Sequence, residues 1–100
     1  MRPIHLATLD KILPVVVLTR EGVGPFLSRV TVATITTTAK GLRVEVPVGR
    51  SNGLDHDSVI SCDNITTIPV GHLGKQIGFL LDAQEAQLSE AIAATFDLED

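Results

Sequence analysis

The chain has 100 residues, enough for one hydrophobic core, so we treat residues 1–100 as a single domain. Apolar residues make up 44% of the chain and charged residues 20%, which is typical of a globular protein and excludes a disordered or fibrous one. No apolar run approaches the roughly 18 residues of a membrane helix, so we expect no membrane partner and no signal peptide.

Charge is uneven along a chain whose formal net charge is −4. Residues 1–53 hold seven of the eight basic residues and three acidic ones, whereas residues 54–100 hold one lysine and nine acidic residues. A basic half is compatible with a polyanion that meets one face of the protein. A scatter of solvated surface charge explains the same counts, and charge alone favours this second interpretation.

The first half of the chain predicts a run of short strands. Residues 20–29 contain two glycines and a proline and indicate a loop. The turn at 39–41 should join its flanking strands into a hairpin, and from Leu42 to Val48 apolar side chains alternate with Arg43 and Glu45. The predicted strands are 3–9, 14–19, 30–38 and 42–48.

The second half changes from strand to helix. After a polar loop at 49–57, residues 58–62, 65–70 and 77–81 predict further strands. Residues 82–98 predict a helix with Asp82 as its N-cap and Glu85 completing a capping box. The helix has an apolar stripe that should pack on the sheet, formed by Leu88, Ile92 and Phe96.

These elements predict a mostly β (α+β) domain of about five to seven strands with one C-terminal helix. A small, partly closed barrel is the arrangement that best protects the edges of so many short strands.

Motifs for metal or nucleotide chemistry are absent from the sequence. The single cysteine, Cys62, excludes an internal disulfide and a cysteine-based metal site, and the three histidines have no metal-binding spacing. No P-loop, GxGxxG or GxSxG occurs, so we predict no metal and no cofactor. A chain without disulfides suits the reducing cytoplasm, where we expect this protein.

One polar cluster could hold a phosphate. The hydroxyl run Thr36, Thr37 and Thr38 ends a predicted strand and is followed by Lys40 and Arg43. Hydroxyls and cations together donate to phosphate oxygens, although threonine is also simply common in strands. Because Tyr and Trp are absent, a bound single-stranded nucleic acid would rely on polar groups rather than on aromatic stacking.

Seven stretches cover nearly the whole chain in order: "MRPIHLATLDK", "PVVVLTRE", "VTVATITTT", "GLRVEVPV", "NGLDHDSVISCDNITTIP", "LGKQIGFL" and the final helix. Taken together, they resemble the MazF/PemK toxins of type II toxin–antitoxin systems. The resemblance implies an SH3-like barrel, a homodimer and a metal-independent endoribonuclease that cuts single-stranded RNA at specific sequences. It also implies a cognate, MazE-like antitoxin with an acidic tail that covers the active site.

The same resemblance assigns the site residues. In this family a ribose 2′-hydroxyl attacks the neighbouring phosphate, leaving a 2′,3′-cyclic phosphate and a 5′-hydroxyl, with an arginine and a threonine as the main catalytic groups. The threonine corresponds to Thr36, and the arginine of an "RPVVV"-type motif corresponds to Leu13. Leucine carries no charge and donates no hydrogen bond, so this chain departs from the family at its catalytic position.

Three explanations of Leu13 are open: a detoxified variant, a naturally degenerate toxin, or a toxin in which Lys11 and Arg43 take over the role of the arginine. Two further departures are Thr34, where the family often has proline, and Gly24, where close relatives often carry a base.

Other positions correspond less directly to the family pattern. The resemblance makes Lys11, Lys40, Arg43, Arg50 and Asn64 candidate RNA contacts, with Asp63 beside the substrate path. The remaining candidates are a possible acid or base, His56, which is more simply a solvated loop residue, and two structural or dimer-related residues, Arg20 and Glu21.

A second class of function is a non-catalytic, antitoxin-binding decoy on the same fold. A CcdB-like gyrase poison is a further alternative, but those chains typically end in a Trp-Gly-Ile-type tail, whereas this one ends "TFDLED".

Overall fold

The computed structural model describes residues 2–19 and 28–97, which form a six-stranded antiparallel sheet and one α-helix, α1 (Asp82–Thr95). The strands lie in the order β4-β5-β3-β2-β1-β6. Their bounds are β1 Pro3–Thr8, β2 Ile12–Val17, β3 Arg29–Thr36, β4 Glu45–Val48, β5 Ser58–Pro69 and β6 Leu73–Phe79. The mostly β architecture with a C-terminal helix is the predicted one.

The barrel is only partly closed, because the two edge strands of the sheet, β4 and β6, are not paired with each other. A 3-10 helix at Arg50–Asn52 follows β4 and packs against β6 in this gap. The side chain of Asn52 is fully buried there, and its Nδ2 donates to the carbonyl of Phe79 (2.9 Å) and to Oε1 of Gln84 (2.6 Å). These hydrogen bonds tie the barrel closure to the first turn of α1.

Alternation along the strands creates two apolar layers. One layer lies under α1 and contains Ile4, Val16, Ile60 and Leu88, all buried. The other lies on the opposite face of β2 and β3 and consists of Ala7, Val15, Val17, Val30, Val32 and Ile68. Successive side chains of a strand point to opposite faces, so the valines at 15, 16 and 17 belong alternately to the two layers.

The predicted hairpin between 30–38 and 42–48 is wrong. β3 pairs with β2 and β5, and β4 pairs only with β5. The strand before the turn ends at Thr36 and the next begins at Glu45, so residues 37–44 form a loop too long for a tight hairpin.

The two strands predicted at 58–62 and 65–70 are a single strand, β5, interrupted by a bulge. Its register with β3 shifts between the pairs Ala33–Ile65 and Thr34–Ser61, leaving residues 62–64 as extra residues on β5. The polar pair Asp63–Asn64 looked like a strand break in the sequence, whereas a bulge accommodates it within the strand.

The helix differs from its prediction at both ends. The N-cap is Leu81 rather than Asp82, and Oε1 of Gln84 rather than Glu85 accepts the Leu81 N–H at 2.9 Å. Of the predicted apolar stripe, Leu88 is buried and Ile92 packs on the core, but Phe96 lies beyond the helix end and is exposed.

The observed starts of β2 and β4 also differ from the predicted ones. β2 begins at Ile12, so Leu13 belongs to the strand, and Leu42 lies outside β4 and is exposed. The predicted loop at 20–29 lies mostly outside the described residues, as do Arg20, Glu21, Gly24 and the last residue of the predicted helix. None of the helices in the described part of the chain is long and apolar enough to cross a membrane.

Candidate functional site

Three adjoining depressions form one groove. It is lined by residues of β2, β3 and β5 and of the loops that follow β1 and β3. The volumes of the depressions are about 430, 370 and 290 Å³, and Asn64 borders all three. The residues that line the groove include Leu9, Asp10, Lys11, Leu13, Thr34, Thr36, Thr37, Thr38, Lys40, Glu45, Ser58 and Asp63. The groove thus runs between the loop after β1 and the loop after β3.

The β5 bulge shapes the centre of this groove. Cys62 is buried, whereas the next two residues, Asp63 and Asn64, are exposed. Because a bulge bends its strand and redirects a side chain, it brings the polar pair to the groove floor.

Leu13 and Thr36 lie together on neighbouring strands. The β2–β3 ladder ends at the pair Val15–Thr34, and Leu13 and Thr36 each stand two residues beyond that pair on their strands. Both side chains line the depression of about 370 Å³. By strand alternation, Leu13 lies on the face of β2 that carries Val15 and Val17, and Thr36 lies on the face of β3 that carries Val30 and Val32.

The groove is not a basic patch. Its charged lining residues are two lysines, Lys11 and Lys40, and three carboxylates, Asp10, Glu45 and Asp63. The excess of basic residues in the first half of the chain is therefore not concentrated here. An arginine at position 13 would balance the formal charge.

Not all predicted site residues reach the groove. The structure brings together Leu13, Lys11, Lys40, Asn64 and the three threonines 36–38. Arg43 instead borders a separate depression of about 280 Å³ between β4 and α1, with Glu45, Gln87 and Glu90. Arg50 is exposed in the 3-10 helix, and His56 is exposed in the loop before β5.

Several polar lining residues were not among the predicted contacts: Asp10, Ser58, Glu45, Ser61 and Thr66. Asp10 had a usable signal, since it precedes Lys11 in the same polar loop. Glu45 had none, because strand alternation describes the face of β4 that it occupies but not its hydrogen bonds to the loop directly before it.

Cys62 lies directly behind the groove floor. Burial, and secondarily the charge of Asp63, raise the pKa of the Cys62 thiol to about 11. The protonated thiol is a poor nucleophile, so this cysteine is a core residue rather than a reactive group. Within residues 2–19 and 28–97, no cluster of His, Cys, Asp or Glu side chains is suited to hold a metal ion.

Solved toxin structures share this fold. The structure of the Mycobacterium tuberculosis toxin MazF-mt6 matches with a TM-score of 0.96 and 61% identity, covering 99% of this chain and 100% of that chain. A mycobacterial endoribonuclease solved in complex with its cognate antitoxin matches with a TM-score of 0.87 at 22% identity, a likeness of fold alone.

Sequence comparison agrees with the structural one. Residues 6–96 match the family described as PemK-like, MazF-like toxin of type II toxin–antitoxin system. The chain belongs to this toxin family. It is 62% identical over 99 residues to endoribonuclease MazF3 of M. tuberculosis, covering 99% of this chain and 96% of that protein. The family and fold class predicted from the sequence are confirmed, and the predicted enzyme class agrees with the names of these relatives.

Proposed function

We propose that this chain is an endoribonuclease toxin that binds single-stranded RNA in the groove and whose cutting step is impaired by Leu13. The observation that carries the proposal is the convergence of Thr36, Leu13, Lys11 and Asn64 on one continuous groove. These residues come from β2, β3, β5 and the loop after β1, so only the folded barrel brings them together.

The proposed reaction is attack of a ribose 2′-hydroxyl oxygen on the adjacent phosphorus. The bond from phosphorus to the 5′-oxygen breaks, giving a 2′,3′-cyclic phosphate and a 5′-hydroxyl, while one proton leaves the 2′-oxygen and one reaches the 5′-oxygen. Protein groups that neutralise the developing charge suffice for such a step, so it needs no metal ion. The Thr36 hydroxyl and the Lys11 ammonium are the donors at this position.

Leu13 removes the strongest donor that the family pattern provides. An arginine here would offer its planar fork of N–H groups to the phosphate beside the Thr36 hydroxyl. Loss of one such group from a preorganised site costs on the order of 10²–10⁴ in rate. Lys11 borders the same depression, so it is the residue placed to compensate in part, whereas Arg43 borders a different one.

The test compares the unmodified chain with Leu13→Arg on a long, mixed-sequence RNA in excess EDTA, mapping the new 5′ ends. We expect the arginine form to cut at a short preferred sequence and to leave 5′-hydroxyls, at least about 100 times faster than the unmodified chain. Intact RNA in both reactions contradicts the proposal. Equal cutting by both forms shows that Leu13 is no defect and that Lys11 carries the charge.

Leu13 also favours a second candidate function, an antitoxin-binding decoy. Under either function, the proposed partners are a second copy of the chain, as a homodimer, and a MazE-like antitoxin in the cytoplasm. A decoy binds the antitoxin tightly and leaves RNA intact even as Leu13→Arg, so antitoxin affinity measured beside RNA cleavage separates the two functions.

A further inference from the structure

One wall of the groove is an irregular loop. Residues 37–44 connect β3 to β4, and within them Thr37, Thr38 and Lys40 are exposed and line the groove. Segments without regular hydrogen bonding normally sample many conformations, which would scatter these donors. Something must hold the loop if its side chains are to meet one phosphate chain in a fixed arrangement.

The carboxylate of Glu45 holds it. The N–H of Lys40 donates to both Glu45 carboxylate oxygens, at 3.0 Å to Oε1 and 3.1 Å to Oε2, and the N–H of Leu42 donates to Oε1 at 3.1 Å. The Glu45 N–H in turn donates to the Leu42 carbonyl at 3.1 Å. Hydrogen bonds to an ionised acceptor are the stronger kind, so one side chain closes the loop on itself.

Glu45 is itself anchored to the other wall. It is the first residue of β4 and pairs with Ser61 on β5, while the Cys62 N–H donates to the Val44 carbonyl at 3.0 Å. Asp63 and Asn64 follow immediately on β5. The loop and the bulge are therefore both tied to the junction of the loop with β4, at Val44 and Glu45.

We propose that Glu45 is a positioning residue for RNA binding, which holds the 37–42 loop so that Thr37, Thr38 and Lys40 face the substrate backbone. The inference rests on the proposed function. Glu45 touches no substrate in this role, because its two oxygens already accept main-chain N–H groups of the loop.

The direction in which RNA affinity changes when Glu45 is replaced distinguishes this positioning role from simple charge repulsion. A carboxylate beside a polyanion site repels it, so removing the charge of Glu45 should tighten RNA binding if charge alone matters. If Glu45 positions the loop, removing it must weaken binding despite the gain in net positive charge.

The experiment measures the affinity of the unmodified chain for a short, mixed-sequence, fluorescent RNA, with Glu45→Ala, Glu45→Gln and the charge-matched control Asp55→Ala. Asp55 is exposed in the loop before β5 and does not line the groove. We expect Glu45→Ala to raise Kd about tenfold and the control to change it less than about twofold. Glu45→Gln should fall between them, since its amide oxygen replaces the Oε1 acceptor but not Oε2.

Two further readouts separate positioning from general damage to the fold. Amide exchange at Lys40 and Leu42 should speed up at least about tenfold in Glu45→Ala and stay unchanged in the control. In the Leu13→Arg background, Glu45→Ala should raise KM about tenfold and lower kcat less than about threefold.

Unchanged or tighter RNA binding by Glu45→Ala, or unchanged amide exchange, overturns the role of Glu45 and leaves the proposed function standing. Absence of RNA binding by the unmodified chain together with absence of cutting by Leu13→Arg overturns both. Weaker binding with faster exchange, rescued in part by glutamine, supports the inference.

Discussion

Leu13 on β2 and Thr36 on β3 each lie two residues beyond the last pair of their ladder, Val15–Thr34, and border the same depression. A hydroxyl that can donate to a phosphate therefore sits beside an aliphatic side chain that cannot. Leu13 is partly buried and continues the face of β2 that carries Val15 and Val17. Its side chain offers no charge and no hydrogen bond to a phosphate at this position.

This arrangement predicts that Thr36 matters only when position 13 carries a donor. In the Leu13→Arg background, Thr36→Val should lower the cleavage rate about 100-fold, while Thr36→Ser should keep most of the activity because it retains the hydroxyl. In the unmodified chain, the same Thr36→Val change should alter the rate less than about threefold. Single-turnover cleavage of one RNA by these five proteins measures the coupling. Equal losses in both backgrounds would show that the two residues act independently.

Lys11 should contribute charge to RNA binding. It is exposed on the loop that borders the groove, so its ammonium can meet a phosphate while remaining in water. Lys11→Ala should weaken binding about three- to tenfold in low salt and reduce the slope of log Kd against log salt by about 0.7. Lys75→Ala removes the same charge from the exposed middle of β6 and serves as the control. Equal salt slopes for the two variants would place Lys11 outside the RNA path.

The fold class was predictable because the sequence patterns that indicate strands and helices are local. The alternation of Val44, Val46 and Val48 and the helical period around Leu88 follow directly from side-chain geometry. Strand pairing is not local: residues 37–44 form a loop rather than a turn, and nothing in their composition indicates that β4 pairs with β5 instead of β3. The bulge at Asp63–Asn64 was missed for the same reason.

The site was predictable as far as family resemblance reached. Thr36, Lys11 and Asn64 meet in the groove, but Arg43 does not, since the loop brings it toward α1 instead. The role of Asn52 in closing the barrel was hidden, because an Asn-Gly pair in a polar loop looks like an ordinary exposed turn. Only the structure reveals that this asparagine is completely buried.

The barrel closure should tolerate no side chain at Gly78. A Cβ there would lie 1.9 Å from the Asn52 carbonyl oxygen and 2.6 Å from its carbon, both of them backbone atoms. Gly78→Ala should therefore lower the free energy of unfolding by about 2–4 kcal/mol, because the loop and β6 must separate. Gly71→Ala is the matched control, since its Cβ would meet nothing within 4 Å. Urea unfolding of both variants measures the difference, and equal stabilities would contradict this close approach.

Cys62 should make the stability fall in alkaline solution. Its thiol is buried next to Asp63, and these surroundings raise its pKa to about 11, whereas in the unfolded chain it ionises near its ordinary value of 9.0. Below the pKa of the thiol in the unfolded chain, both states carry the proton, so the contribution of Cys62 to stability is fully present. Between the two values only the unfolded chain releases the proton, so ionisation favours unfolding and stability decreases as pH rises.

The free energy of unfolding should fall by about 2 kcal/mol between about pH 8 and about pH 10.5. Urea unfolding of the unmodified chain and of Cys62→Ala across this range isolates the effect, because the lysines and other titrating groups are common to both and cancel in the difference. The alanine variant starts less stable owing to the small cavity it leaves, so the two curves should converge as pH rises. Parallel curves would mean that the thiol reaches water in the folded state and that Cys62 is less completely enclosed than its burial indicates.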